Sequence, residues 1–221
     1  MKNKILTPNQ IAVLEAMGKN KFFQKQFYFT GGSPLAAFYL HHRYSEDLDF
    51  FSETEFEARD LVVFFNQLKK AMPIARVDFQ QSFNRNLFFL KFPKEVLKIE
   101  FTFFPFPRLA KGRKEFGISV DSLEDIAINK LFTIYQRTKA RDYIDLYCIC
   151  RQYKYEIPNL VAKAKIKFDW HIEPVQLASQ FIKSAEAKDY PRMIKKINNK
   201  TWQEFFLSQA KRMKGDILDK N

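Results

Sequence analysis

The stretch FYFTGGSPLAAFYLHHRYSEDLDFF, residues 27–51, decides the reading of this chain. It runs from an apolar strand (27–29) through a Gly31-Gly32-Ser33 turn into a short apolar helix. The polar loop HHRYS (41–45) then leads to Asp47-Leu48-Asp49 in a second strand. Side chains alternate along a strand, so Asp47 and Asp49 project from one face while Leu48 faces the opposite layer. Two like charges on one face of an apolar strand repel unless a cation neutralises them. Two fixed carboxylates are the hard oxygen donors that Mg²⁺ (or Mn²⁺) takes, with water and phosphate oxygens completing its octahedron. The glycine pair allows a turn with unrestricted φ and no side chain in the way of a phosphate. Ser33 adds a hydroxyl and an N–H at a helix start, where unpaired N–H groups favour an anion, and Pro34 fits there because its missing N–H costs nothing. With 13 residues between Ser33 and Asp47, a phosphate turn paired with a DxD predicts a nucleotide site.

The flanking sequence supplies a fold for that site. Thr7 caps a helix that has Pro8 at its first position and runs to about Lys19. Ser33-Pro34 opens a helix with Leu35, Ala36, Phe38 and Tyr39 facing the core, and Glu53 to Lys69 reads as an amphipathic helix. Strand-like runs follow at Ile74–Phe79, Asn86–Phe92 and Val96–Phe103, with turns at Asn84-Arg85 and Pro93-Lys94-Glu95. A third acid is expected on a strand adjacent to Asp49. Glu100, alternating with Lys98 and Thr102, is the candidate, and Asp78 is its rival. A carboxylate in mid-strand there would activate an attacking hydroxyl or bind a second metal.

Pro105, Pro107 and Gly112 mark a boundary, which divides the chain into a mixed α/β domain (1–110) and a helical, basic C-terminal domain (111–221). Helices are expected from Ser122 to Thr138, over Arg141–Arg151, through Val161, and over Val175–Ala187, Tyr190–Asn198 and Thr201–Met213. Lys130 sits among Ile126, Ile128, Leu131 and Ile134, an unusual place for a side chain that prefers water. Asp142 and Asp145, three apart, share a helix face. A buried Lys130–Asp145 pair would either orient the lysine towards a nucleotide phosphate or act as a structural salt bridge. His42 and Arg43 read as loop-ordering or phosphate-facing groups, and His171 as structural.

Composition bounds the rest. Of 221 residues 46% are hydrophobic, including 25 Phe, so this is a folding sequence. Residues 1–105 hold 14 Lys and Arg against 11 Asp and Glu, whereas residues 106–221 hold 23 against 14. The half without the DxD therefore carries most of the net +12, which suits a domain that holds a polyanion for the other half to act on. Behind Lys2 and Lys4 there is no apolar run, and no segment approaches a membrane span. Cys148 and Cys150, two apart in a helical stretch, point different ways and indicate neither a disulfide nor a metal site. A cytoplasmic location is expected.

With GGSPLAAFYLHHRYSEDLDFF, KIEF, EDIAINKL and RDYIDLY in order, residues 27–150 closely resemble the AbiEii/AbiGii-toxin nucleotidyltransferases of the DNA polymerase β-like, or minimal nucleotidyltransferase, superfamily. The resemblance implies an α/β (α+β) fold, a polymerase-β-like domain with a mixed sheet followed by a helical C-terminal domain. It implies that Gly32 and Ser33 hold nucleotide phosphates, beside Gly31 of the turn and Arg43 as the candidates read from the residues, that Asp47 and Asp49 bind Mg²⁺, and that Glu100 takes a third-acid place that is often Asp. Lys130 and Asp145 fall at the positions of the family's helical-domain lysine and aspartate, which adds them to the catalytic set. The implied reaction transfers NMP from an NTP to a hydroxyl, in some relatives the 3′ end of tRNA, within a toxin–antitoxin or abortive-infection system with a cognate antitoxin protein. Two rivals remain open: an enzyme that modifies a protein or small molecule, and a non-catalytic nucleotide- or RNA-binding partner.

Overall fold

The computed structural model describes residues 5–218, with side chains as far as residue 213; Lys2 and Lys4 lie outside the described residues. Contacts divide the chain into two compact units. The first comprises residues up to 38, 45–107 and 111–122; the second comprises 39–44, 108–110 and the chain from 123 onwards.

The first unit is built on a mixed sheet. Helices α1 (Pro8–Gly18) and α2 (Lys21–Gln26) lead into β1 (Tyr28–Thr30). Thr7 caps α1 as expected, in a reciprocal capping box with Gln10. After β1 come the helical turn α3 (Gly32–Pro34), β2 (Leu48–Ser52), α4 (Ala58–Ala71), β3 (Arg76–Ser82), β4 (Arg85–Lys91) and β5 (Val96–Phe103). The unit closes with a hairpin, β6 (Arg113–Glu115) and β7 (Ile118–Val120). The strand order is β3-β4-β5-β2-β1-β7-β6. Pairs β2·β5 and β1·β7 are parallel and the others antiparallel.

Alternation gives the sheet two chemically distinct faces. On one, Phe29 stacks on Phe50 with ring centroids 5.0 Å apart, and Phe50 on Phe101 at 5.2 Å. Phe65 of α4 lies 4.5 Å from Phe88 and 5.9 Å from Phe101, and Phe23 of α2 packs edge-on against Phe64. These rings carry the hydrophobic payload of the unit. The other face carries the acids.

Two features of this unit escape a reading by periodicity. Leu35–Leu40 continue α3 as a π-helical turn, so Ala37 and Leu40 are buried while Phe38 and Tyr39 are half-buried, in place of the α-helical face expected. The boundary placed at residue 110 falls ahead of the β6–β7 hairpin, whose strands are too short to show a period. Gly117 (φ +83°) turns it, and its backbone meets Gly18 so closely that a Cβ on Gly18 would lie 1.5 Å from the Phe116 carbonyl oxygen.

The second unit is helical: α5 (Leu123–Gln136), α6 (Ala140–Tyr153), α7 (Ile157–Phe168), α8 (Pro174–Ile182) with a 3₁₀ turn at Lys183–Ala185, and α9 (Asn199–Leu218). Its core gathers Tyr143, Trp202, Phe206 and Phe181, all buried. The helix expected over Tyr190–Asn198 is absent. Pro191 brings no N–H to a helix, and the segment instead pairs with residues 42–44. The Tyr44 N–H donates to the Arg192 carbonyl (2.9 Å), and the N–H groups of Ile194 and Lys195 donate to that of His42 (2.8 and 3.0 Å).

Replacing Phe65 by Ala is expected to cost about 3–5 kcal/mol of stability, read as a lower urea midpoint with unchanged slope. A loss under about 1 kcal/mol would mean that α4 is not held to the sheet through this ring.

Candidate active site

Strand register assembles the acids. Thr30 of β1 pairs with Asp49 of β2, and Asp49 pairs with Glu100 of β5. Three adjacent strands therefore present these side chains in one row, on the face opposite the phenylalanines. Gly31 lies at the end of the row with φ +81°, and a Cβ there would come 2.8 Å from Asp49 Oδ2. Only glycine lets the turn close over that carboxylate. Gly32 and Ser33 are buried at the start of the helical stretch. The Ser33 hydroxyl donates to the Asp47 carbonyl oxygen, which ties the turn to the residue just before β2.

Two cations are interleaved with the acids. Arg85 Nε and Nη2 donate to the two Glu100 carboxylate oxygens at 2.5 and 2.6 Å. Lys98 Nζ is 3.2 Å from Asp47 Oδ2 and 3.6 Å from Glu100 Oε2. Burial works to raise the Glu100 pKa, but the Arg85 hydrogen bonds and charge, with Lys98, hold it below the ordinary carboxylate value. Among the described residues no group of three or more His, Cys, Asp or Glu is arranged as metal ligands. Asp78, the rival third acid, sits on β3 beyond β4 and is held by Arg76 and by Lys91 at 3.1 Å. Glu100 is thus the acid beside Asp49.

The residues singled out in the helical unit form a second cluster around Asp145, which is fully buried. Arg43 Nε and Nη2 donate to Asp145 at 2.6 and 2.8 Å, and Nη1 donates to the Tyr44 carbonyl. His42 Nε2 lies 2.7 Å from Asp145 Oδ1, and Lys130 Nζ lies 2.7 Å from both Asp145 and Asp142. The Lys130–Asp145 pair expected from sequence is therefore present. Arg43, read from sequence as loop-ordering or phosphate-facing, is buried with its guanidinium on Asp145 and on its own loop. Burial tends to raise the Asp145 pKa, but the charges of Arg43 and Lys130 outweigh it and hold the group well below the ordinary value. Cys148 and Cys150 are free thiols pushed up to about 12 by burial, which makes them inert.

Sequence reasoning missed Arg85, which it placed in a turn, and Asp121, whose carboxylate accepts from the Thr30 hydroxyl at 2.8 Å. Lys98 was legible, since it alternates with Glu100 along β5.

His42 makes the helical cluster sensitive to pH. Burial holds its pKa below the ordinary 6.5, and its Nδ1 is buried with no hydrogen-bond partner. The unfolded imidazole takes a proton near 6.5 and the folded one only at lower pH, so this contribution is full above pH 6.5 and is lost as pH falls towards the folded value. His42→Gln should lose less stability than the parent between pH 7.5 and 5.5, measured by urea unfolding at each pH. Equal losses would remove His42 as the cause.

Over 144 residues, 64% of this chain and 66% of the other, the sequence is 30% identical to an uncharacterised protein, aq_aa25, of Aquifex aeolicus (strain VF5). The fold is similar to that of a candidate nucleotidyltransferase from H. pylori, with TM-score 0.63 and 17% identity over 100% of this chain and 99% of that one. It is also similar to JHP933 from Helicobacter pylori, with TM-score 0.61 and 18% identity over 96% and 92%. The family model described as nucleotidyl transferase AbiEii toxin, type IV toxin–antitoxin system, matches residues 12–210. With that match spanning both the carboxylate row and the Asp145 cluster, the chain belongs to the AbiEii nucleotidyltransferase toxin family.

Proposed function

We propose that the protein moves NMP from an NTP to a hydroxyl, that of the 3′ end of tRNA, as the toxin partner of a cognate antitoxin. The observation that carries this reading is the row Thr30, Asp49, Glu100 on adjacent strands, closed at one end by the Gly31 turn. The donor set suits a hard divalent cation, Mg²⁺ or Mn²⁺, because its oxygens are carboxylates and Gly31 leaves Asp49 without a neighbouring Cβ. Asp47 and Asp49 would hold it, and Glu100 stands beside Asp49 to act on the acceptor hydroxyl. Bound there, the ion supplies positive charge where the α-phosphate gathers negative charge.

The chain's own groups do the rest. The N–H groups of Gly32 and Ser33, first in their helical stretch, orient the phosphates. The Ser33 hydroxyl keeps that turn in register with Asp47. Glu100, ionised and fixed by Arg85, takes the proton of the attacking 3′-hydroxyl as the new P–O bond forms and pyrophosphate leaves. Lys130, Asp145 and Arg43 serve as positioning residues that fix the backbone of residues 42–44. The basic second half supports a polyanionic acceptor. A binding-only reading is favoured by one observation, the lowered Glu100 pKa, which weakens it as a base.

The test incubates purified protein with Mg²⁺, total tRNA and each α-³²P-labelled NTP. Label should enter tRNA with the parent, and Asp49→Asn should lower the rate at least about a hundredfold with an unchanged circular dichroism spectrum. Label in protein but not in tRNA would replace the acceptor. Mg²⁺-dependent NTP binding without turnover would establish the binding-only reading. Gly31→Ala should also fail in transfer while folded, because its Cβ displaces Asp49; unimpaired transfer would show that the turn has no need of glycine.

A further inference from the structure

The face of the sheet opposite the carboxylate row carries a cavity. Strands β3 and β4 and the segment before α4 enclose an open cavity of ≈ 420 Å³ lined by Glu55, Phe56, Glu57, Gln81, Phe83, Asn84, Asn86 and Phe103. All belong to the first unit. Asn86 pairs with Phe101 across β4·β5, whereas its neighbour Leu87 pairs with Glu100. Alternation therefore puts Asn86 on the face away from Asp49 and Glu100, and the cavity is separate from the candidate active site.

Its chemistry is that of hydrogen-bond acceptors between aromatic rings. Asn86 is only 5% exposed and its Oδ1 has no hydrogen-bond partner, an omission that costs free energy unless a donor arrives. Asn84 uses its side-chain N–H on the Phe103 carbonyl (2.9 Å), which leaves its own Oδ1 as an acceptor. Glu55 and Glu57 are exposed at the rim, in a segment (53–60) with four acids and one arginine within a chain of net charge +12. Phe83 stands at the turn between β3 and β4, 98% exposed and with φ +52°. The two-residue hairpin loop needs positive φ at this position, and it leaves the ring at the surface beside the cavity.

We propose that this cavity receives an arginine side chain presented by a partner protein. A guanidinium has five donors and no acceptor, which complements two carboxylates and two amide oxygens, and it stacks favourably on phenylalanine faces. Nucleic acid is disfavoured here, because the glutamates repel a phosphate backbone. The partner's arginine docks on the back of the sheet and leaves the carboxylate row open. This inference does not depend on the proposed transfer reaction.

The probe is the peptide acetyl-Gly-Arg-Gly-amide, titrated into the full-length protein while the side-chain amide resonances of Gln81, Asn84 and Asn86 are followed by NMR. Saturable shifts confined to these groups are expected, with affinity at least about tenfold weaker for the uncharged citrulline analogue and for the Glu55→Gln/Glu57→Gln double variant. Both glutamates are exposed, so the variant keeps the fold. No saturable shift, or equal affinity for citrulline, would overturn the proposal. So would an oligonucleotide that shifts the same resonances, or shifts that grow with protein concentration alone, which would assign the cavity to a second copy of the chain.

Discussion

Everything in the first unit depends on the register of three strands, and that register is set by phenylalanine. Phe29, Phe50 and Phe101 stack across β1, β2 and β5 on the buried face. Their immediate neighbours Thr30, Asp49 and Glu100 are thereby forced into one row on the other. A one-residue slip would turn these three rings out and Asp49 and Glu100 in, so the free energy that packs the core also fixes the spacing of the acids. The site thus needs no dedicated scaffold.

Charge compensation is the second constraint. Four ionisable groups on the carboxylate face form a chain of ion pairs, Arg85 with Glu100, Glu100 with Lys98 and Lys98 with Asp47. In the helical unit Asp145 is enclosed by Arg43, His42 and Lys130. An isolated buried carboxylate would be severely destabilising, and removing one partner from such a cluster leaves an uncompensated charge. Both clusters therefore act as locks. One holds Glu100 in the row beside Asp49, and the other holds residues 42–44, whose backbone pairs with 192–195 in turn.

A similar ion pair anchors the start of the helical unit. Lys167 is buried with its Nζ 2.8 Å from Asp125, and Asp125 also accepts from the N–H groups of Leu109 and Ala110. The long lysine stem packs among apolar side chains while its head meets a carboxylate. The basic character of the second half is thus partly structural.

Much of this was legible along the chain because it rests on local rules. Thr7-Pro8 announces α1 through its cap, alternation places Asp49 opposite Leu48 and Phe50, and a lysine inside an apolar helix face signals the Lys130–Asp145 pair. The misses are non-local. The 113–120 hairpin is made of strands too short to carry a period, and 190–198 gives up helix for pairing with 42–44. By itself the sequence determined the mixed α/β and helical division, the Gly-Gly-Ser turn ahead of the DxD, and the family. The tertiary structure alone decided that Glu100 rather than Asp78 stands beside Asp49, that Arg85 holds Glu100, and that Arg43 is buried against Asp145. Those outcomes depend on strand order and chain crossing, which distant residues fix through packing and which no local pattern encodes.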